Sequence, residues 1–212
     1  MSDSLIEIVS HPVLTDKISR LRDERTSCRD FRELLYDITL ILGYEATREL
    51  PTILQRIETP VASMDAEVLA GRVLLVPILR AGIPMAEAML RLIPEAGVGH
   101  IGLYRDHDTL LPVEYYVRLP RELSGWHIFI LDPMLATGGS AAYAAELLLK
   151  RVADRITLIS IVAASQGAIK MREICPEIHL LTGAMDEKLN EKGYIVPGLG
   201  DAGDRLYNTV VF

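Results

Sequence analysis

The chain has 212 residues, half of them apolar, with 22 basic and 29 acidic side chains and a formal charge of −7. This length and composition suit one substantial core in a single domain over residues 1–212, and the negative balance gives no general field for nucleic acid or an anionic membrane surface. No apolar run approaches the roughly 20 residues that span a bilayer, residues 1–10 show no basic stretch followed by an apolar core, and the two cysteines, Cys28 and Cys175, stand far apart without metal-type spacing; a soluble protein of the reducing cytoplasm is expected.

From the N-terminus, Phe31, Leu34, Leu35, Ile38 and Leu42 recur at helical spacing behind Thr26 or Ser27, either of which can cap the helix. From Val73 onward the pattern changes to short continuous apolar runs at residues 73–78, 98–103, 127–131 and 156–162, with helix-like segments between them. Strands covered by helices on both faces have this composition, because neither face meets water. The predicted class is α/β, a mostly parallel sheet flanked by helices. The segment from Tyr104 to Arg118, which contains Leu111-Pro112-Val113-Glu114-Tyr115-Tyr116-Val117, is expected to be an extended arm or hairpin projecting from the sheet, a lid or a subunit contact. Tyr115 and Tyr116 are expected to pack. After Leu181 the alternation stops, and the run Tyr194-Ile195-Val196-Pro197-Gly198-Leu199-Gly200-Asp201-Ala202-Gly203-Asp204-Arg205 exposes backbone where side chains are small. A planar ligand fits against such a surface.

Ligands of open parallel sheets collect outside the carboxyl ends of the strands, and three loops there are distinctive. Pro77-Ile78-Leu79-Arg80-Ala81-Gly82-Ile83-Pro84 follows the first predicted strand and opens a helix, with Pro84 in its first turn. Tyr104-Arg105-Asp106-His107 follows the second and adds a guanidinium. The third, Asp132-Pro133-Met134-Leu135-Ala136-Thr137-Gly138-Gly139-Ser140, joins Ile128-Phe129-Ile130-Leu131 to an alanine- and leucine-rich helical run. Its Thr-Gly-Gly-Ser end turns amides and hydroxyls toward one point at a helix start, where the helix dipole favours an anion. The carboxylate of Asp132 suits the two neighbouring hydroxyls of a ribose. The loop therefore has the chemistry of a ribose-phosphate cradle. A simpler reading makes Gly138 and Gly139 a tight turn with Thr137 or Ser140 as an ordinary cap, leaves Arg80 and Arg105 each paired with a surface carboxylate, and pairs Asp204 with Arg205. No lysine of the G-x-x-x-x-G-K-[ST] type and no G-x-G-x-x-G is present. The five histidines show no ligand spacing.

In Pro77-Ile78-Leu79-Arg80-Ala81-Gly82, in residues 131–140 and in residues 194–205, and in the same order, the sequence resembles the uracil phosphoribosyltransferase family. His11-Pro12-Val13, Tyr44-Glu45-Ala46-Thr47 and the Tyr104-Arg105 segment with Thr109-Leu110 also fit, so the resemblance spans nearly the whole chain. It implies the phosphoribosyltransferase fold with a protruding β-arm and a C-terminal base-binding hood, and transfer of a 5-phosphoribosyl group from 5-phosphoribosyl 1-diphosphate (PRPP) to N1 of uracil, giving UMP and diphosphate in pyrimidine salvage. Carried over by position, Asp132, Pro133, Met134, Leu135, Ala136, Thr137, Gly138, Gly139 and Ser140 would hold the ribose 5-phosphate and hydroxyls, and Arg80 and Arg105 the diphosphate. Asp201 would face PRPP and its Mg²⁺, which arrives bound to PRPP rather than in a cage of protein ligands. Ile195, Gly200, Asp201 and Ala202 would meet the uracil.

Two departures stand out. Pro133 follows Asp132 where many phosphoribosyltransferases carry a second acidic residue, a variation that belongs to the uracil branch. Ala164-Ser165-Gln166-Gly167 replaces the family's Ala-Pro-Glu-Gly, so the role of that loop is open. Parts of the family are activated by GTP, and no GTP motif stands out here. A homodimer or higher homo-oligomer is expected from the arm and the apolar N-terminal helices. A nucleotide-sensing RNA-binding regulator on the same fold would need a basic face that this chain lacks, and purine or orotate specificity is disfavoured by residues 198–205.

Overall fold

A computed structural model describes residues 6–105 and 112–209. Strand β1 (Ile6–Ile8) leads into helices α1 (Pro12–Arg22) and α2 (Cys28–Ala46). Ser27, rather than Thr26, caps α2, its hydroxyl oxygen accepting the amide of Asp30 at 3.1 Å; Phe31, Leu35, Ile38 and Leu42 are buried along the expected stripe. Helix α1 starts at Pro12 behind His11, whose ring nitrogen accepts the amide of Val13.

The chain continues through β2 (Thr52–Glu58), β3 (Ser63–Leu69), β4 (Arg72–Leu79), α3 (Ile83–Leu92), β5 (Gly97–Val98), β6 (His100–Arg105) and β7 (Pro112–Arg118). It then forms β8 (Trp126–Leu131), β9 (Met134–Leu135), α4 (Gly139–Leu149), β10 (Arg155–Ala164), α5 (Ser165–Ile174) and β11 (His179–Asp186), and ends in β12 (Lys188–Leu189), β13 (Ile195–Val196) and α6 (Ala202–Tyr207). The main sheet runs β1-β11-β10-β8-β4-β6-β7, with β5 beside β4 and β9 beside β10. Its pairings are parallel except for β6 with β7.

Both faces of this sheet are covered, as the apolar runs require. Val73, Leu75, Phe129 and Leu131 point to the cluster formed with α1, α2, α3 and α6, while Leu74, Val76, Ile128 and Ile130 point to the cluster formed with α4 and α5. The four predicted strands lie within β4, β5 with β6, β8 and β10, the second being split at Gly99.

The arm or hairpin expected over residues 104–118 coincides with the antiparallel pair β6–β7. Described residues of the 104–118 segment form β7, an edge strand paired antiparallel with β6; residues 106–111 lie outside the described part. The element that stands apart is the two-stranded hairpin β2–β3, which belongs to no larger sheet. Its side chains Ile53, Leu54, Val61, Met64 and Leu69 are exposed, so its alternation carries no core signal. Among the described residues no helix is long and apolar enough to cross a membrane.

Candidate active site

The carboxyl ends of β4, β6 and β8 open on a cleft of about 610 Å³ bordered by Arg80, Tyr104, Tyr115, Asp132, Asp201 and Gly203. Three of the segments singled out in the sequence meet there: the loop after β4, the cradle after β8 and the start of α6.

The cradle begins where β8 ends. Asp132 has intermediate exposure, yet its carboxyl group is ringed by protein atoms, and this desolvation pushes it up to about 7. The nearby charge of Asp201 adds to the rise, while the Met134 amide, 3.4 Å from Asp132 Oδ1, opposes it. Beyond β9 the chain turns into α4 through Gly138, which has φ +77 and no side chain to cap the helix. Neither Thr137 nor Ser140 is the cap of the simpler reading; Thr137 Oγ1 only approaches the amide of Gly139 at 3.5 Å. Beyond the Gly139 amide, the first turn has no side-chain cap and suits an external acceptor. A Cβ on Gly138 would stand 2.9 Å from the carbonyl oxygen of Gly167, and one on Gly167 would collide with the carbonyl of Ala136. The first turn of α5, Ser165-Gln166-Gly167, therefore buttresses the cradle, backbone against backbone, a role the sequence did not disclose.

Arg80 lies on the loop between β4 and α3, after a cis Leu79–Arg80 peptide. Its guanidinium is half exposed toward the cleft, 5.5 Å over the ring of Tyr207 and 3.9 Å from Asp204 Oδ1. The Tyr207 hydroxyl donates to the Arg80 carbonyl at 3.1 Å, so the C-terminal helix and this loop are joined. Arg105 closes β6 on the same edge; its side chain, like His107 and residues 109–110, falls outside the described part.

The hood consists of β12, β13, the turn at residues 197–201 and α6. Asp201 caps α6 by accepting the amide of Asp204 at 2.8 Å. The turn is held from below by a pair with no local signal in the sequence. Arg22 meets Asp186 through two bonds of 2.7 and 2.8 Å. The same pair grips both polar groups of Gly198, whose amide donates to Asp186 at 3.0 Å and whose carbonyl accepts from Arg22 at 2.7 Å. Gly198 has φ +59, which only glycine takes at little cost. Arg205 does not pair with Asp204. It donates to the carbonyls of Leu21, Leu199 and Asp23 and stacks 4.3 Å over Phe31. Ile195 is buried below the turn, while Gly200 and Asp201 are exposed and Ala202 is buried at the cleft wall.

Tyr115 and Tyr116 are about half exposed rather than packed, and Tyr115 stands 6.4 Å from Tyr104 at the cleft edge. Among the described residues no group of three or more histidine, cysteine or carboxylate side chains could hold a metal ion. The arrangement places an arginine and two acidic side chains around one cavity, with the start of α4 following the cradle in the chain.

The uracil phosphoribosyltransferase family model matches residues 8–209. A uracil phosphoribosyltransferase of Streptococcus suis is 52% identical over 96% of this chain and 98% of its own length. One from Streptococcus mutans is 53% identical over the same shares. A solved structure from Aquifex aeolicus superimposes with a TM-score of 0.93 at 38% identity, covering 98% of this chain and all of that one. With its motifs gathered around one cleft and relatives of this closeness matched along almost their whole length, the chain belongs to the uracil phosphoribosyltransferase family.

Proposed function

We propose that the chain works as one unit that transfers the 5-phosphoribosyl group of PRPP to N1 of uracil, releasing UMP and diphosphate in pyrimidine salvage. The observation that carries this reading is the convergence of Arg80, Asp132 and Asp201 on one cleft that opens beside the uncapped start of α4. In this assignment the backbone and hydroxyls of residues 136–140 receive the 5-phosphate, and Asp132 accepts the ribose hydroxyls. Pro133, Met134 and Leu135 set the floor between them. Arg80 and Arg105 bind the diphosphate, whose charge grows as the bond from C1′ breaks, so fixed cations there stabilise the transition state. Asp201 faces the sugar ring, where positive charge develops. No covalent nucleophile is needed; positioning supplies much of the rate.

The donor set fits Mg²⁺ that enters on PRPP: Asp201 is close enough for its charge to act on Asp132, and hard carboxylate oxygens suit such a cation. Bound Mg²⁺ neutralises phosphate charge and stabilises the leaving group. Uracil offers O4 as acceptor and N3–H as donor, and cytosine reverses both. One backbone N–H and one carbonyl from Ile195, Gly200, Asp201 or Ala202 suffice to discriminate by about 10⁴.

Self-association as a dimer or higher oligomer is supported by the exposed apolar side chains of β2–β3, and a cytoplasmic setting by two free thiols. Activation by GTP rests on family membership alone, and adding GTP to the assay tests it. The deciding experiment mixes the protein, Mg²⁺, PRPP and uracil. UMP and diphosphate are expected in equal amounts, and their absence would overturn the reading.

A further inference from the structure

We propose that Lys170 is a binding residue for the phosphate monoester, a cation that reaches the cradle from the neighbouring helix α5; this rests on the cradle assignment above. A methyl group built on Gly139 would stand 3.7 Å from Thr137 Oγ1 and 4.0 Å from Lys170 Nζ. The hydroxyl, the first residue of α4 and the ammonium group therefore border one small volume. The stem is also placed: a methyl on Gly138 would lie 3.4 Å from Lys170 Cβ. Lys170 follows Gly167 by three positions, so both project from the same side of α5, and Gly167 is the residue pressed against the cradle.

Two further facts assign the ammonium a ligand. Lys170 is partly buried and has no ion pair or hydrogen bond among the described residues, an arrangement that favours an arriving anion over solvent alone. The cradle from Asp132 to Ser140 has no basic side chain of its own and one acidic one. A phosphate monoester carries about −1.5 to −2 charges at neutral pH, while the start of a helix offers only roughly half a positive charge. Lys170 supplies the missing cation as a compact point charge, the form in which lysine binds phosphate. It acts at the monoester end, away from the diphosphate beside Arg80.

The test is titration calorimetry with ribose 5-phosphate, and separately with inorganic diphosphate, on the wild type, Lys170→Met, Lys170→Arg and Thr137→Val. Lys170→Met keeps the stem and removes the charge; it is expected to weaken ribose 5-phosphate about tenfold, the scale of one partly solvated charge-assisted bond. Diphosphate affinity and melting temperature stay unchanged, Lys170→Arg restores most of the loss, and KM for PRPP rises while kcat holds. Wild-type affinity of Lys170→Met for ribose 5-phosphate, or an equal loss for diphosphate, overturns the proposal. If Thr137→Val loses ribose 5-phosphate while Lys170→Met does not, the cradle stands and only Lys170 is misassigned. If neither variant loses it, the cradle assignment falls as well.

Discussion

Asp132 stands at the base of the cleft with a carboxyl group pushed up to about 7, first by desolvation and then by Asp201. In the unfolded chain the same group ionises near the usual carboxylate value of about 4. Below that pH both states are protonated and the group costs nothing. As pH rises toward 7 the folded chain keeps a proton that the unfolded chain has released, so stability falls across this window and the deficit persists above it. Asp132→Asn should therefore raise the melting temperature at pH 8 by an amount worth about 1–3 kcal/mol and leave it little changed at pH 4; thermal melts at the two pH values decide, and an equal shift at both would contradict the desolvated-carboxylate account. Arg80 presents the complementary case. Among the described residues its half-exposed guanidinium has only the distant Asp204 as an ionic partner, so Arg80→Ala should preserve the fold by circular dichroism and raise KM for PRPP by about 10- to 100-fold, the worth of one or two charge-assisted bonds. Unchanged PRPP kinetics would remove Arg80 from the diphosphate site.

Elements rather than single side chains fix the cradle. The turn into α4 is pressed against the start of α5 with no room for a side chain between Gly167 and the Ala136 carbonyl. Gly167→Ala must displace the turn, because backbone atoms cannot yield as a flexible side chain can; a loss of about 1–3 kcal/mol is expected. Chemical denaturation measures this loss, and calorimetry should show weakened ribose 5-phosphate binding. The β2–β3 hairpin has the opposite character. It pairs only with itself and exposes Ile53, Leu54 and Met64, so Leu54→Arg should shift sedimentation toward smaller species while leaving the sheet and its melting transition intact, provided the hairpin is a subunit contact. An unchanged sedimentation coefficient would place self-association elsewhere.

At the scale of the molecule, the hood depends on a contact between residues far apart in the chain. Arg22, at the end of α1, and Asp186, at the end of β11, clamp Gly198 from both sides. Asp186 is 8% exposed, so Arg22→Met strands a buried carboxylate and should cost about 3 kcal/mol in denaturant unfolding. The backbone groups proposed to read the base would lose their fixed height, and the uracil-to-cytosine ratio of kcat/KM should fall in the same variant. A destabilised variant with its base preference intact would separate the clamp from recognition. Tyr207 makes a second long-range link, since it holds the Arg80 carbonyl with its hydroxyl and lies under the Arg80 guanidinium with its ring. The hood and the Arg80 loop thus share one packed connection.

The sequence alone settled the covered parallel sheet, because residues 73–78, 127–131 and 156–162 are apolar without alternation and only burial on both faces suits them. It also marked the Arg80 loop, the cradle and the glycine-rich hood, because each needs particular residue types at adjacent positions. What it left open depends on distance along the chain. The hairpin β2–β3 leaves its apolar side chains exposed, so no buried stripe marked it in the sequence. Arg22 with Asp186, and Gly167 with Ala136, are pairs whose members carry no local pattern. Their meaning arises only when strands and helices bring them within a few ångströms, and that proximity is a property of packing, not of periodicity.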